Sequence, residues 1–269
     1  MSNVIAIKSL VTQAAQSPKL SKAGSFENVE IIAAVLYLAP ANLSGYEVCG
    51  GRTKGCTAGC LNSAGRGGIG AIFDANGMLL QTNVIQECRL RRTRLLFEAR
   101  EAFMQILVRD LEKLVRKAKK RGGIPAFRPN GTADLDWTVI PCIRNGKHFA
   151  NIFEAFPEIH FWDYTKVKAR MMAFLRGELP VNYDLTFSRA ETTANQIAAM
   201  QVLQAGGNVA AVFGVKKGAL PASWNGHEVI DGDTNDFRFA DRKGGKVVGL
   251  IAKAKAKRDT TGFVIRLAA

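Results

Sequence analysis

Apolar positions along the chain follow two different periods. From Glu30 to Ala39 the residues are almost continuously aliphatic or β-branched, the pattern of a strand covered on both faces, and Pro40 closes it. Between Thr82 and Arg121 the period lengthens. Phe103, Leu107, Leu111, Leu114 and Ala118 recur at spacings of four and three, one stripe of a helix. An unbroken helix over that stretch would be about 60 Å long. A break is therefore expected near Leu95–Glu98, with Gly122-Gly123 as the stop.

Beyond Gly123 the chain alternates. Short extended runs are expected at Pro125–Arg128, Glu158–Tyr164, Tyr183–Ser188, Val209–Val215, Glu228–Ile230 and Lys246–Ala252. Helical stretches fall between them at Val167–Leu175 and Ala190–Ala205. This order predicts an α/β fold whose sheet is largely parallel, either open or a partial (β/α) barrel, with flanking helices. Residues 1–28 read as an irregular or partly helical lead-in, and 29–269 as one domain with a cysteine-bearing loop at 41–70.

Charge adds a partner class. The net charge is +14, and two segments carry all of it, residues 85–121 and 242–266, at +7 each. Such segments suit nucleic acid or another polyanion, and equally a solvated face. No apolar run reaches the ~18–20 residues of a membrane span. The first residues show no secretory pattern. A cytoplasmic location is expected.

Three of the five cysteines fall within twelve residues, as C-x6-C-x3-C at Cys49, Cys56 and Cys60. A disulfide framework is improbable in a cytosolic chain, and clustered thiolates are metal ligands. Seven glycines lie between Gly45 and Gly70, so the backbone is free to wrap a centre and aim amides at sulfur. Arg52, Lys54 and Arg66 offset thiolate charge. Three ligands in one loop suit a [4Fe-4S] cluster with one iron left open. Zinc is the rival metal, but it wants four ligands, usually in close pairs. Cys88, Cys142, His148 and His160 are the available fourth ligands, and none shares a motif with the trio.

Other candidates sit at predicted strand ends. Arg128 and Asn130 end one strand, Asp163, Tyr164 and Lys166 another, and Ser188 and Arg189 a third. In a parallel sheet these share a rim with the cysteine loop, where ligands bind. Asp231 and Asp233, in D-G-D-T-N-D, suit a ligand contact, a hard cation or plain turn chemistry. Gly65–Gly68 would cradle a phosphate, yet no Walker or dinucleotide fingerprint accompanies it.

The run Cys49–Gly67, R-L-R-R-T-R-L-L-F-E at Arg89–Glu98, F-W-D-Y-T-K at Phe161–Lys166, L-T-F-S-R at Leu185–Arg189 and W-N-G-H-E-V-I-D-G-D at Trp224–Asp233 resemble a phage-encoded family, the gene product eighty-eight proteins. That resemblance implies a phage origin and names no reaction. The layout is also similar to radical S-adenosylmethionine (SAM) enzymes, which place three cysteines after the first strand of a partial barrel and bind SAM at the open iron of a [4Fe-4S] cluster. The spacing differs from their C-x3-C-x2-C, and Gly59 replaces their usual aromatic residue. Two readings follow. One is a radical-SAM-like Fe–S enzyme acting on a nucleotide, nucleic acid or other anion. The other is a non-catalytic Fe–S or zinc-stabilised nucleic-acid-binding protein.

Overall fold

The computed structural model describes residues 7–13, 25–26 and 28–267. In chain order its strands are β1 (Val11–Gln13), β2 (Ser25–Phe26), β3 (Val29–Leu36), β4 (Ile72–Phe73), β5 (Leu79–Gln81), β6 (Ile124–Arg128), β7 (Cys142–Arg144), β8 (Lys147–Phe149), β9 (His160–Thr165), β10 (Tyr183–Ser188), β11 (Val209–Phe213), β12 (Ser223–Trp224), β13 (His227–Asp231), β14 (Val247–Ile251) and β15 (Val264–Ile265). The helices are α1 (Lys54–Ala58), α2 (Val84–Glu98), α3 (Arg100–Arg121), α4 (Ile152–Ala155), α5 (Lys168–Leu175) and α6 (Thr193–Gln204). Several short 3-10 turns join them.

Eleven of the described strands form one sheet, in the order β1-β3-β6-β9-β10-β11-β14-β13-β12, with β2 on β3 and β15 on β11. From β3 to β13 every neighbouring pair is parallel. The outer pairings, β1 on β3 and β12 on β13, are antiparallel. The expected α/β class is therefore present, as an open sheet with two edges and no closed barrel. Strands β3, β6, β9, β10 and β11 follow each other in space as in sequence. Right-handed crossovers in that order put the longer connecting helices, α2, α3, α5 and α6, on one face.

Burial shows both faces. In β3, Ile32, Ala34 and Leu36 join the main core beneath Phe103, Leu107 and Leu111 of α3, Met171 of α5 and Val202 of α6. Ile31, Ala33 and Val35 point the other way, with Ala126 and Trp162, onto Phe237 and Phe239. Alternation with a period of two, fully buried on both sides, is why Glu30–Ala39 reads as unbroken hydrophobicity. Among the described residues no α-helix packs in this second cluster; a segment around the 3-10 turn Arg238–Ala240 covers it.

The long helical stretch breaks one residue past its expected place. Ala99 leaves the helical region (φ −145°, ψ 60°), and Gly122 ends α3 in the left-handed region at φ 64°. The lead-in contributes an edge strand. β1 pairs with β3, and Asp110 of α3 accepts the Leu10 N–H at 2.7 Å. Much of the helical expectation for 1–28 lies outside the described residues.

The sheet splits between β10 and β11. They pair only at Phe187–Val209 and Ser188–Ala210, after which β15 takes the place of β10 beside Val212 and Phe213. The gap opens at the carboxyl rim, below the cysteine loop.

Candidate metal centre

The loop after β3 folds back over the carboxyl ends of the parallel strands. Glu47 starts it, accepting the Cys49 N–H at 2.8 Å and the Arg52 guanidinium at 2.9 Å. Thr53 caps α1, accepting the Cys56 N–H at 3.2 Å. A distant carboxylate fixes the same turn. Glu191 accepts from Thr53 Oγ1 and from the Gly55 N–H, both at 2.7 Å. Its charge suits the N-terminal end of this helical turn. Gly55 is buried, and a Cβ there would lie 2.6 Å from Phe263 Cβ. At Gly51 a Cβ would lie 2.8 Å from Lys166 Cβ, so the loop rests directly on the stem of Lys166. Two of the glycines read from the sequence as freeing the loop are thus required for close approach.

Cys49, Cys56 and Cys60 share a wall between two cavities. The larger is about 220 Å³ and lies over the rim of the sheet. The smaller, about 40 Å³, lies on the loop side against Leu43, Phe73 and Met78. The Ala41 N–H donates to Cys49 Sγ at 3.4 Å, and the Asn62 N–H to Cys60 Sγ at 3.5 Å. Burial pushes the Cys49 thiol up to about 12, aided by Cys60 and Cys56 and opposed by the Ala41 amide. Burial also pushes Cys60 up to about 11, with Cys56 adding to it and Asn62, Arg89 and Lys166 opposing. Cys56 thus acts on both of the other thiols and Cys60 on Cys49, the mark of groups held near one another. Metal binding would have to displace these protons. Among the described residues, no group of three or more His, Cys, Asp or Glu is gathered as ligands around a single metal ion.

Arg89 stands behind the cysteines, buried at 9% exposure. Its guanidinium donates to the Asn62 carbonyl at 3.1 Å and lies 5.1 Å from the Tyr37 ring centroid. Among the described residues no carboxylate forms an ion pair with it, and burial lowers its pKa. A buried cation without an acid is costly unless an anion comes to it. Gln86 completes the network, donating to the Asn62 and Gly67 carbonyls.

The strand-end candidates divide. Arg128, Tyr164, Lys166, Ser188 and Asp233 line the larger cavity, with Val212, Leu250 and Phe263 as its apolar surface. Arg128 lies over the Tyr164 ring at 4.7 Å. Burial works against its charge, but Asp236 first, then Tyr164 and Asp163, hold its pKa above the ordinary value. Burial takes the Tyr164 hydroxyl up to about 12. Asp233 pairs with Lys253.

Asn130, Asp163, Arg189, Arg66 and Asp231 do not line the cavity. Residues of alternating parity on a strand face opposite sides, so Asp163 points away from Tyr164. It is buried, accepting the Asn130 N–H at 3.0 Å and Asn130 Nδ2 at 2.9 Å, and burial pushes its carboxyl up to about 7 against Arg128 and Asn130. Arg189 turns to the Gly262 and Phe263 carbonyls and holds the C-terminal segment. Arg66 is exposed on the 3-10 turn Gly65–Gly67, and Asp231 is exposed, accepting the Asp233 N–H at 2.7 Å. Cys88 and Cys142 line neither cavity. Cys88 accepts from Arg91, and Cys142 is buried in the main core.

Sequence reasoning passed over Glu191, Asp134 and the buried role of Arg89. Glu191 and Asp134 reach the site through contacts far apart in sequence, and nothing local marks them. Arg89 carried a signal only as one cation in a basic run.

Fold and site together define a largely parallel α/β protein, wound in one direction from β3 to β11, with a cysteine-walled cavity at its carboxyl rim. The chain belongs to the family described as Gene product 88, which it matches over residues 9–267. No curated protein and no solved structure matches it, and neither comparison supports the expected similarity to radical SAM enzymes.

Proposed function

We propose that Cys49, Cys56 and Cys60 ligate a [4Fe-4S] cluster, one iron of which faces the larger cavity, and that the protein is an Fe–S enzyme acting there on an anionic substrate. The carrying observation is the shared wall: three thiols, no fourth thiol or imidazole among the described residues that line it, and a cavity on the open side. A single zinc ion needs its ligands gathered about one point. A cubane takes one thiolate at each of three separate corners, which suits thiols spread along a wall. Buried Arg89 favours an anionic occupant, as a thiolate-ligated cluster is. When bound, such a centre supplies one-electron chemistry and an open coordination position.

The chain's own residues would prepare the reaction space. The loop and Phe263 would cover part of the cluster side. Tyr164, whose hydroxyl stays protonated at neutral pH, is available as a proton donor. The order of β3, β6, β9, β10 and β11, with the thiols directly after β3, supports SAM as the ligand of the open iron. Incubating the reduced, iron-loaded protein with SAM tests this part: 5′-deoxyadenosine is the expected product, and its absence with an intact cluster would contradict SAM chemistry.

Exposed Arg109, Lys113, Arg116, Lys119 and Lys120 along α3 favour a second reading, a nucleic-acid-binding protein braced by its centre. These cations stand on the helix-covered face, whereas Lys253 and Lys255 of the other basic segment stand near the cysteine loop. Binding through phosphates must weaken steeply as salt rises.

A further inference from the structure

Four cationic side chains line the larger cavity, and three of them are matched by acids. Arg128 meets Asp236 at 3.1 Å and Asp163 at 3.7 Å. Lys253 meets Asp233, and Arg52 meets Glu47 at 2.9 Å. The remaining acid of the wall, Asp134, is already taken by Arg170 at 2.7 Å and by the backbone N–H of Lys166 at 2.8 Å. Among the described residues no carboxylate forms an ion pair with the Lys166 ammonium. It donates to Ser188 Oγ at 2.6 Å and lies 5.7 Å from the Phe263 ring centroid.

This pair is placed rather than loose. The Lys166 stem is fixed beneath Gly51. Ser188 stands at the last rung where β10 still pairs with β11. Because Ser188 Oγ accepts from Lys166, its own proton is free to donate into the cavity, beside the remaining ammonium protons. The two together offer a positive charge and a hydroxyl donor at the edge of an apolar surface made by Val212, Leu250 and Phe263.

Balancing the thiolates does not use up this charge. Three thiolates exceed the charge of an oxidised cubane core by one unit, and the buried Arg89, with no carboxylate ion pair among the described residues, is available to offset it. The Lys166 cation is left for a ligand.

We propose that Lys166 and Ser188 form an anion-binding subsite that takes the carboxylate or phosphate of a small molecule, whose apolar body lies against Val212, Leu250 and Phe263. The inference rests on reading this cavity as the reaction space beside the cluster. At about 220 Å³ the space is below the ~300–1,000 Å³ of drug-sized pockets, so it suits a free metabolite and not a nucleic-acid strand.

The test is ligand-observed NMR titration of the full chain as isolated, with phenyl phosphate and phenylacetate as probes and benzyl alcohol as the uncharged control. Both anionic probes, or the one whose head group the subsite prefers, bind saturably. Lys166→Met weakens that binding by about tenfold or more and leaves the control unchanged. Ser188→Ala weakens it less, and Lys166→Arg keeps most of it. If Lys166→Met fails to fold, Ser188→Ala and Lys166→Arg decide. The proposal is overturned if neither anion binds saturably at millimolar concentration, or if folded Lys166→Met or Ser188→Ala binds the anions as the parent does. It is also overturned if the control loses as much as they do. Iron is measured on the same samples. Lys166-dependent anion binding by iron-free protein would keep the subsite and remove the cluster; iron-loaded protein indifferent to both anions would do the opposite.

Discussion

Asp163 shows how a strand-end residue with a suggestive side chain becomes structural. It faces the helix-covered side, where Asn130 donates to it twice and Tyr183 Oη lies 3.2 Å away. Burial outweighs these partners and Arg128, and takes its carboxyl up to about 7. The folded state thus keeps a proton that the unfolded chain releases near pH 4. Stability from this group is fully present below about pH 4 and is lost as pH rises through about 7. Urea unfolding at pH 5 and pH 8 should show a lower midpoint at pH 8, and Asp163→Asn should flatten the difference. A variant with the parent's full pH dependence would place the titration elsewhere. At this scale the sequence made the cysteine trio plain through its spacing, and Lys166 and Ser188 through their place at strand ends. It could not show the acid-free burial of Arg89, because that depends on Asn62 and Tyr37 being folded around it.

Among the elements, α1 bears most on the site. It is too short to be stable alone and is held by Thr53, by Glu191 and by close packing at Gly55. Gly55→Ala would drive a methyl group into Thr261 and Phe263. Overpacking of this kind costs about 1–3 kcal/mol. A lower urea midpoint is expected, together with reduced iron retention, because Cys56 lies on the displaced turn. Unchanged stability would mean that the C-terminal segment yields freely. The parallel strands from β3 to β14 were legible within three residues, since each is a short apolar run with a clear stop. The hairpins β7–β8 and β12–β13 were not read as such, although Asn145-Gly146 and Asn225-Gly226 carry the signal of two-residue turns with positive φ. Strand β15 had no such signal. Its two residues become a strand only because β10 and β11 part and leave Val212 and Phe213 open on the side away from β14.

For the molecule as a whole, strand order decides where chemistry is available. Winding in one direction sends the helices to one face and leaves the other free at its carboxyl rim, between the cysteine loop and the segment carrying Phe237 and Phe239. The charge excess divides between these regions. The basic face of α3 is remote from the cavity side, so the total of +14 says little about what enters the cavity. No helix among the described residues is long and apolar enough to cross a membrane. The account therefore turns on the cysteine wall. Its most direct test is the iron and acid-labile sulfide content of protein purified without oxygen, compared with Cys56→Ala. About four irons and about four sulfides per chain are predicted for the parent, and a large loss of both for the variant. Parent protein that carries zinc or no metal, or a variant that keeps its iron, would contradict the claim.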